Sequence, residues 1–380
     1  MSLQQRVAQE FEHLFNAPPA FVVRAPGRVN LVGEHTDYND GFVLPMAIDR
    51  AIWIAGRTRD DQLVVSHSLD LGQSVEFSLK SIRNEGAGWG EYLKGVAWAF
   101  QEAGYTLQGW EGVVAGDVPI GAGLSSSAAL EMATARVFTV TSGLPWEPIA
   151  MAQIGQRAEN EWVGVNCGIM DQMISAAGKA GHALLIDCRS LETRSVPLPP
   201  GAAVVVLDTA TRRGLVDSAY NERRTQCEAA AHIFDVPALR DVSVARFELL
   251  KSLLPDRISR RARHVVTENS RTLRAAESMR QGDAVELGRL MNESHTSLRD
   301  DFEVSSDELD SMAECARRED ACYGARMTGA GFGGCAVALV CAGAAQAFAA
   351  AVATCYQAAT GIVPSIYICT ATNGAEVVVG

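Results

Sequence analysis

No stretch of this 380-residue chain approaches the 18 or so consecutive apolar residues of a membrane-spanning helix, so a helical membrane protein is excluded. The opening segment, Met1 to Arg6, lacks the apolar core of a signal peptide and begins a mixed amphipathic stretch. Basic residues are in deficit: 33 Lys and Arg stand against 45 Asp and Glu, a formal net charge of −12. Nucleic acid is therefore not an expected partner, because a binding face for it shows clustered cations. An anionic substrate stays open, since backbone amides and a metal can supply positive potential. None of the nine cysteines falls in a Cys-x-x-Cys pair, and all lie from Cys167 onward. Reduced, mostly buried thiols in a cytoplasm are expected, with no zinc site and no catalytic thiol. Internal repeats and low-complexity segments are missing as well. What remains is the profile of an enzyme: 48% hydrophobic residues can bury a large core, and the length predicts two domains.

The most informative stretch runs from Gly116 to Leu130. It joins a short apolar strand, Gly112 to Ala115, to a helix on which Leu130, Ala133 and Val137 recur at helical spacing. Gly121, Gly123 and Ser125 to Ser127 thus arrive at a helix N-terminus, where unpaired N–H groups and the helix dipole attract anions. Serines also cap core helices, and from the loop alone both readings stand. Two better-known phosphate loops are excluded. No Lys-Ser or Lys-Thr pair follows the glycines, and in place of the compact strand-helix-strand unit of a dinucleotide site comes a turn, Thr141 to Pro145. A nucleoside triphosphate held by a different fold is the leading expectation.

Elsewhere the pattern predicts an amphipathic helix over 2–16, strands at Phe21 to Val23, Ala51 to Thr58 and Leu63 to Ser66, and a helix from Tyr92 to Glu102. A further helix is expected from Pro148, carrying Glu159 on the same face as Ala152. A carboxylate on an inward face needs a partner, either an ion pair or a metal. The segment around Cys167, Gly168 and Asp171 precedes a strand from His182 to Ile186, and Pro197 to Gly201 reads as a linker. Beyond it come a buried strand, Ala203 to Leu207, and helical patterns from Ser218 to Arg318. A second glycine loop, Thr328 to Gly334, then feeds a strand from Cys335 to Val340, a helix from Ala344 to Ala359 and a strand around Ser365 to Cys369. This order predicts a mixed α+β fold in two lobes, 1–196 and 197–380, with a cleft between them. Near the N-terminus, Arg28, Asn30, Glu34, His35, Thr36 and Asp37 pack donors and acceptors into one run punctuated by Gly27 and Gly33, as reading a ring of hydroxyls requires.

These three segments resemble the three motifs of the GHMP small-molecule kinases, in family order, from Arg24 to Gly334; the run from Gly27 to Asn39 resembles the galactokinase signature in particular. One departure is Asp40, where many relatives have glycine, which leaves the local turn open. The resemblance implies a two-lobed GHMP kinase fold with its active site in the cleft, and transfer of the ATP γ-phosphoryl group to the C1 hydroxyl of α-D-galactose. It implies that Glu34, His35, Thr36, Asp37, Gly168 and Tyr220 meet the sugar. Gly121, Ala122, Gly123, Leu124, Ser125, Ser126 and Ser127 would wrap the ATP phosphates, with Ser68 on the nucleotide side. Ser127 and Glu159 would bind Mg²⁺, Asp171 would be the catalytic carboxylate, and Arg28 its basic partner. The second glycine loop would hold the cleft in shape. The chain is expected to act as a cytoplasmic monomer on galactose and ATP. A kinase for N-acetylgalactosamine or arabinose, or a catalytically silent galactose- and ATP-binding regulator, is the alternative.

Overall fold

The computed structural model describes residues 1–212 and 216–379. A six-stranded sheet runs in the order Glu376–Val379, Phe21–Asn30, Pro45–Arg59, Gly109–Gly116, Leu63–Ser68, Gln73–Ser78. All neighbours are antiparallel except Leu63–Ser68 beside Gly109–Gly116. Side chains alternate across such a sheet, and the sequence uses both faces. Val23, Ile54 and Val114 point into a core with the helices Gly90–Glu102, Ser126–Thr141, Pro148–Arg157 and Met170–Ala177. Val22, Ala55 and Val113 face the other way, onto Val7 and Phe11 of the first helix, Leu3–Phe15. That helix starts with a reciprocal capping box between Ser2 and Gln5.

A second sheet, antiparallel throughout, orders Cys322–Thr328, Cys335–Cys341, Ala202–Asp208 and Ser365–Cys369. Its strand Cys335–Cys341 is buried on both sides. Ala336, Ala338 and Val340 pack with the outer helices, whereas Val337 and Leu339 meet Val29 and Met46 of the first sheet and Leu31 just past its strand. A shared apolar core therefore joins the two halves and leaves the polar residues at its rim to form the cleft. A three-stranded sheet of Phe42–Val43, His182–Asp187 and Thr193–Pro197 lies alongside. The chain also recrosses the boundary read at residue 197: Val22 pairs with Val379 and Arg24 with Glu376, so the last strand closes the first sheet.

Two sequence expectations need correction. The helix from Pro148 does not continue as an α-helix through Glu159; it ends at Arg157 and passes into a π-helical turn, Ala158–Val163. The wider turn re-aims Glu159 relative to an α-helical face, a local rewinding that periodicity does not encode. Nor are all the thiols reduced. Cys315 and Cys355 form a disulfide where the helices Asp307–Arg317 and Ala345–Thr360 pack together, with Cα atoms 5.8 Å apart. Their separation of 40 residues carries no spacing signal, because helix packing alone brings them together. Of the seven free cysteines, Cys227, Cys335 and Cys369 are buried and Cys341 is exposed. Among the described residues no helix is long and apolar enough to cross a membrane.

Candidate active site

The glycine loop leaves its strand at Gly116 and enters the helix Ser126–Thr141 through Ser125, which holds a left-handed backbone (φ 62°). Ser125 occupies the cap position yet caps nothing with its side chain. Its hydroxyl donates instead to Asp171 Oδ2 at 2.5 Å. The first N–H groups of the helix are thereby left to whatever anion the loop holds, which favours the anion cradle over the plain cap.

Asp171 lies in the first turn of the short helix Met170–Ala177 and is clamped in two-pronged fashion by Arg28. Arg28 Nε donates to Asp171 Oδ1 at 2.9 Å and Nη2 to Oδ2 at 2.8 Å, the planar match that a guanidinium and a carboxylate make best. The remaining Nη1 donates to Gly123 O at 2.5 Å, and the Arg28 backbone N–H donates to Leu124 O at 3.1 Å. One arginine thus ties the acid to the glycine loop.

On the other side of Asp171 stand Glu34, His35 and Asp37. Glu34 is buried and fixed at both oxygens: Oε1 accepts from Gly329 N at 2.6 Å and from Thr328 Oγ1 at 3.0 Å, and Oε2 accepts from Asn30 Nδ2 at 2.6 Å. Behind it Arg326, wholly buried, lies 3.8 Å from Glu34 and 3.9 Å from Glu268. Burial alone would push the Glu268 carboxyl up, but Arg271, with His264 and Arg326, holds it down at about 2. Glu268 stays charged and accepts from Gly33 N at 2.9 Å, pinning the turn that presents Glu34, His35 and Asp37.

Burial lowers the His35 pKa to about 3, so the ring is neutral. Its Nε2 donates to Ala330 O at 3.2 Å, which leaves Nδ1 to accept from the Tyr38 hydroxyl at 2.9 Å. The ring packs 5.5 Å from Tyr220, whose own ring stands 5.2 Å from Tyr38. Asp37 is raised to about 7, first by burial and then by the charge of Asp171. Gly168 fits directly against it: a Cβ there would lie 1.9 Å from Asp37 Oδ2, so only glycine permits this approach. Arg28, Glu34, Asp37, Gly168, Asp171 and Tyr220 all line one cavity of about 220 Å³, and Glu159 and Cys167 line its far side.

Glu159 is buried, hydrogen-bonded by Ser127, and raised in pKa chiefly by that burial. The two glycine loops meet here backbone to backbone. A Cβ on Gly329 would come within 2.9 Å of Gly123 O, and one on Gly334 within 2.9 Å of Ala122 O.

Not every residue expected at the site faces it. The Thr36 hydroxyl contacts the backbone carbonyls of Gly33 and Phe42 at 2.9 and 2.8 Å, holding the turn rather than lining the cavity. Ser68 is buried at a strand end, where its Oγ accepts from Leu71 N at 3.3 Å. Asp40, the departure from the family pattern, sits at φ 58°, the left-handed region that glycine enters freely, with its carboxylate taken by Arg189 Nε at 3.1 Å. The residues that sequence reading missed are the supports: Thr328 and Arg326 behind Glu34, and Glu131 and Gln172 behind Glu159. Thr328 opens a glycine loop already read as cleft-shaping, but Arg326 and Glu131 sit in ordinary strand and helix patterns and carried no signal.

A glycine cradle at a helix start, an arginine-clamped aspartate and an oxygen-bearing Ser-Glu pair, set between two sheets, define a small-molecule kinase of the GHMP class. The profile of the GHMP kinases N terminal domain matches residues 91–179 and that of the GHMP kinases C terminal matches 275–358. Within that class the chain belongs to the galactokinase family. The profile of the Galactokinase galactose-binding signature matches residues 9–58, and a galactokinase of Roseiflexus sp. (strain RS-1) is 48% identical over 371 residues, covering 96% of this chain and 95% of that protein. Among solved structures, Lactococcus lactis galactokinase complexed with galactose superposes with a TM-score of 0.94 at 35% identity, covering 99% of this chain and 100% of that one. Methanococcus jannaschii mevalonate kinase, at 18% identity and a TM-score of 0.66 over 93% of this chain and 99% of that one, shares the fold.

Proposed function

We propose that this ATP-dependent sugar kinase takes α-D-galactose as its acceptor in the cytoplasm, working as a monomer and forming galactose 1-phosphate and ADP. The observation that carries the reading is the position of Asp171. It lies between the hydroxyl-reading residues Glu34, His35 and Asp37 and the phosphate cradle, held to the latter by Arg28 and Ser125. With the sugar's C1 hydroxyl against Asp171, O1 attacks the γ-phosphorus, the bond from γ-phosphorus to the bridging oxygen breaks, and ADP leaves with that oxygen. Asp171 orients the hydroxyl and accepts its proton, while Arg28 and the helix N–H groups neutralise charge growing on the phosphoryl oxygens.

The donors also suit a hard divalent cation. Ser127 and Glu159 offer oxygen ligands beside the cradle, and magnesium is commonly held by one or two carboxylates with waters and substrate phosphates filling the rest. When bound, the ion would neutralise phosphate charge and fix the phosphate geometry. Among the described residues no group of three or more His, Cys, Asp or Glu is placed to hold a metal ion.

The test is ADP release over galactose, glucose, N-acetylgalactosamine and arabinose, with the product's phosphorylated carbon read by NMR. Galactose turnover with phosphate on C1 is expected. Preference for another sugar would reassign the acceptor, and no ADP release at all would leave a silent binding protein. Glucose differs only at C4, and each buried polar group its hydroxyl leaves unpaired costs about 1–3 kcal/mol, so galactose efficiency should exceed glucose efficiency by roughly 10²- to 10⁴-fold.

A further inference from the structure

Beneath Glu159 lies a second carboxylate that the reaction does not touch. Glu131 is wholly buried on the core face of the helix Ser126–Thr141, among Ala128, Ala135 and Met132. Between the two acids sits Gln172, also wholly buried, the residue after Asp171. Its Nε2 donates to Glu131 Oε2 at 2.9 Å and to Glu159 Oε2 at 2.6 Å. An amide nitrogen has two hydrogens and an amide oxygen none, so the carboxylates dictate which way the amide turns. The reverse orientation would set a carbonyl oxygen against both acids.

The arrangement is costly as pure architecture. Glu131 Oε1 and Gln172 Oε1 have no partner among the described residues. An apolar side chain of similar volume is often as stable as, or more stable than, a buried ionisable group at such a place. What the pair does achieve is to occupy Glu159 Oε2, with help from Cys167 Sγ at 3.3 Å, and so fix the rotation of the Glu159 carboxylate, which lines the cavity and is hydrogen-bonded by Ser127.

We propose that Gln172 and Glu131 are positioning residues for the metal: Glu131 orients the Gln172 amide, and that amide aims Glu159 at a divalent cation carried by the nucleotide. The proposal rests on the reading of Glu159 as a metal ligand. Supports of this kind, one layer behind the ligands, typically change metal affinity or activity by about 10- to 100-fold when removed.

The test titrates Mn²⁺ by electron paramagnetic resonance into the full-length protein with a non-hydrolysable ATP analogue, alongside the Mg²⁺ dependence of turnover and melting without metal. Gln172→Met and Glu131→Met should each weaken Mn²⁺ binding by about 10- to 100-fold and raise the Mg²⁺ requirement in parallel, with the KM for galactose unchanged. Glu131→Gln, which keeps an acceptor oxygen for the amide, should retain the metal affinity. Should Gln172→Met fail to fold, the two Glu131 variants decide. Glu159→Gln separates the two layers of the argument. If it leaves Mn²⁺ binding unchanged, Glu159 is not a ligand and the reading beneath the proposal falls. If it weakens binding while folded Glu131→Met does not, only the positioning role is overturned, and equal losses in Glu131→Met and Glu131→Gln would overturn it too.

Discussion

In the proposed reaction Asp171 meets the acceptor hydroxyl, and its surroundings say what a change there does. Asp171→Asn keeps the shape but puts an amide against the Arg28 fork and removes a proton acceptor. The fold should persist while turnover falls by roughly 10²- to 10⁴-fold, the usual loss for a positioned acid-base group, as measured by steady-state ADP release and circular dichroism. A folded Asp171→Asn protein with ordinary turnover would remove Asp171 from the mechanism. Asp37 predicts a pH dependence. Its carboxyl is raised from an ordinary 3.8 to about 7 by burial and by Asp171, so the folded protein holds a proton that the unfolded chain would release. The stability this lends is fully present below 3.8 and is lost as the pH rises through about 7. In the proposed complex, sugar hydroxyls donating to ionised Asp37 would relieve that cost. Galactose should accordingly raise the melting temperature more at pH 8 than at pH 6, and calorimetry on Asp37→Asn should show that difference gone.

Single residues reach their places because whole elements are held at close range, and the two glycine loops are the clearest case. Gly334 has φ 82° and faces Ala122 O, so Gly334→Ala both strains the backbone, by about 1–2 kcal/mol, and pushes the phosphate cradle away. KM for ATP should rise well above its wild-type value while that for galactose moves much less, because the loop carries no sugar-reading side chain. Equal rises in both constants would mean that the loops act on the whole cleft and not on the cradle. The π-turn Ala158–Val163 works in the same way at its own scale, carrying Glu159 on a turn wider than an α-helix allows. Such a rewinding is decided by packing on neighbours such as Gln172, which explains why the apolar spacing from Pro148 onward did not reveal it.

At the scale of the molecule, the segment before the strand Glu376–Val379 is tied to the helix that carries Asp171. Ala375 N donates to Ser175 O at 2.7 Å and Gly374 N to Gly178 O at 2.8 Å, filling carbonyls in the last turn and just past the end of the helix Met170–Ala177, which carries Asp171. Arg24 Nη2 adds a bond to Thr372 Oγ1 at 2.6 Å. Removing residues 371–380 should therefore cost about 1–3 kcal/mol from the two helix-end hydrogen bonds alone and lower turnover as well. Calorimetry and ADP release on the shortened protein check this; unchanged turnover at a lowered melting temperature would confine the segment to stability.

The sequence by itself determined the elements and the reactive groups. Period-2 runs such as Ala51 to Thr58 became strands and the glycine-serine loop became a helix start. Those features are local, because propensity, apolar spacing and glycine punctuation act over a few residues, whereas the meeting of Arg28, Glu34, His35, Asp37, Gly168, Asp171 and Tyr220 at one cavity followed from the family resemblance and not from any local pattern. Tertiary structure decided what depends on distant partners. It turned Thr36 inward to backbone carbonyls, used the Ser125 hydroxyl on Asp171 rather than as a cap, and set Arg326 behind Glu34 across 292 positions of chain. It also joined Cys315 to Cys355 and placed Glu131 beneath Glu159. Burial raised Asp37 and Glu159 and lowered His35, because the cost of a charge depends on the water the fold excludes, and that water is fixed only when the two sheets close over a common core.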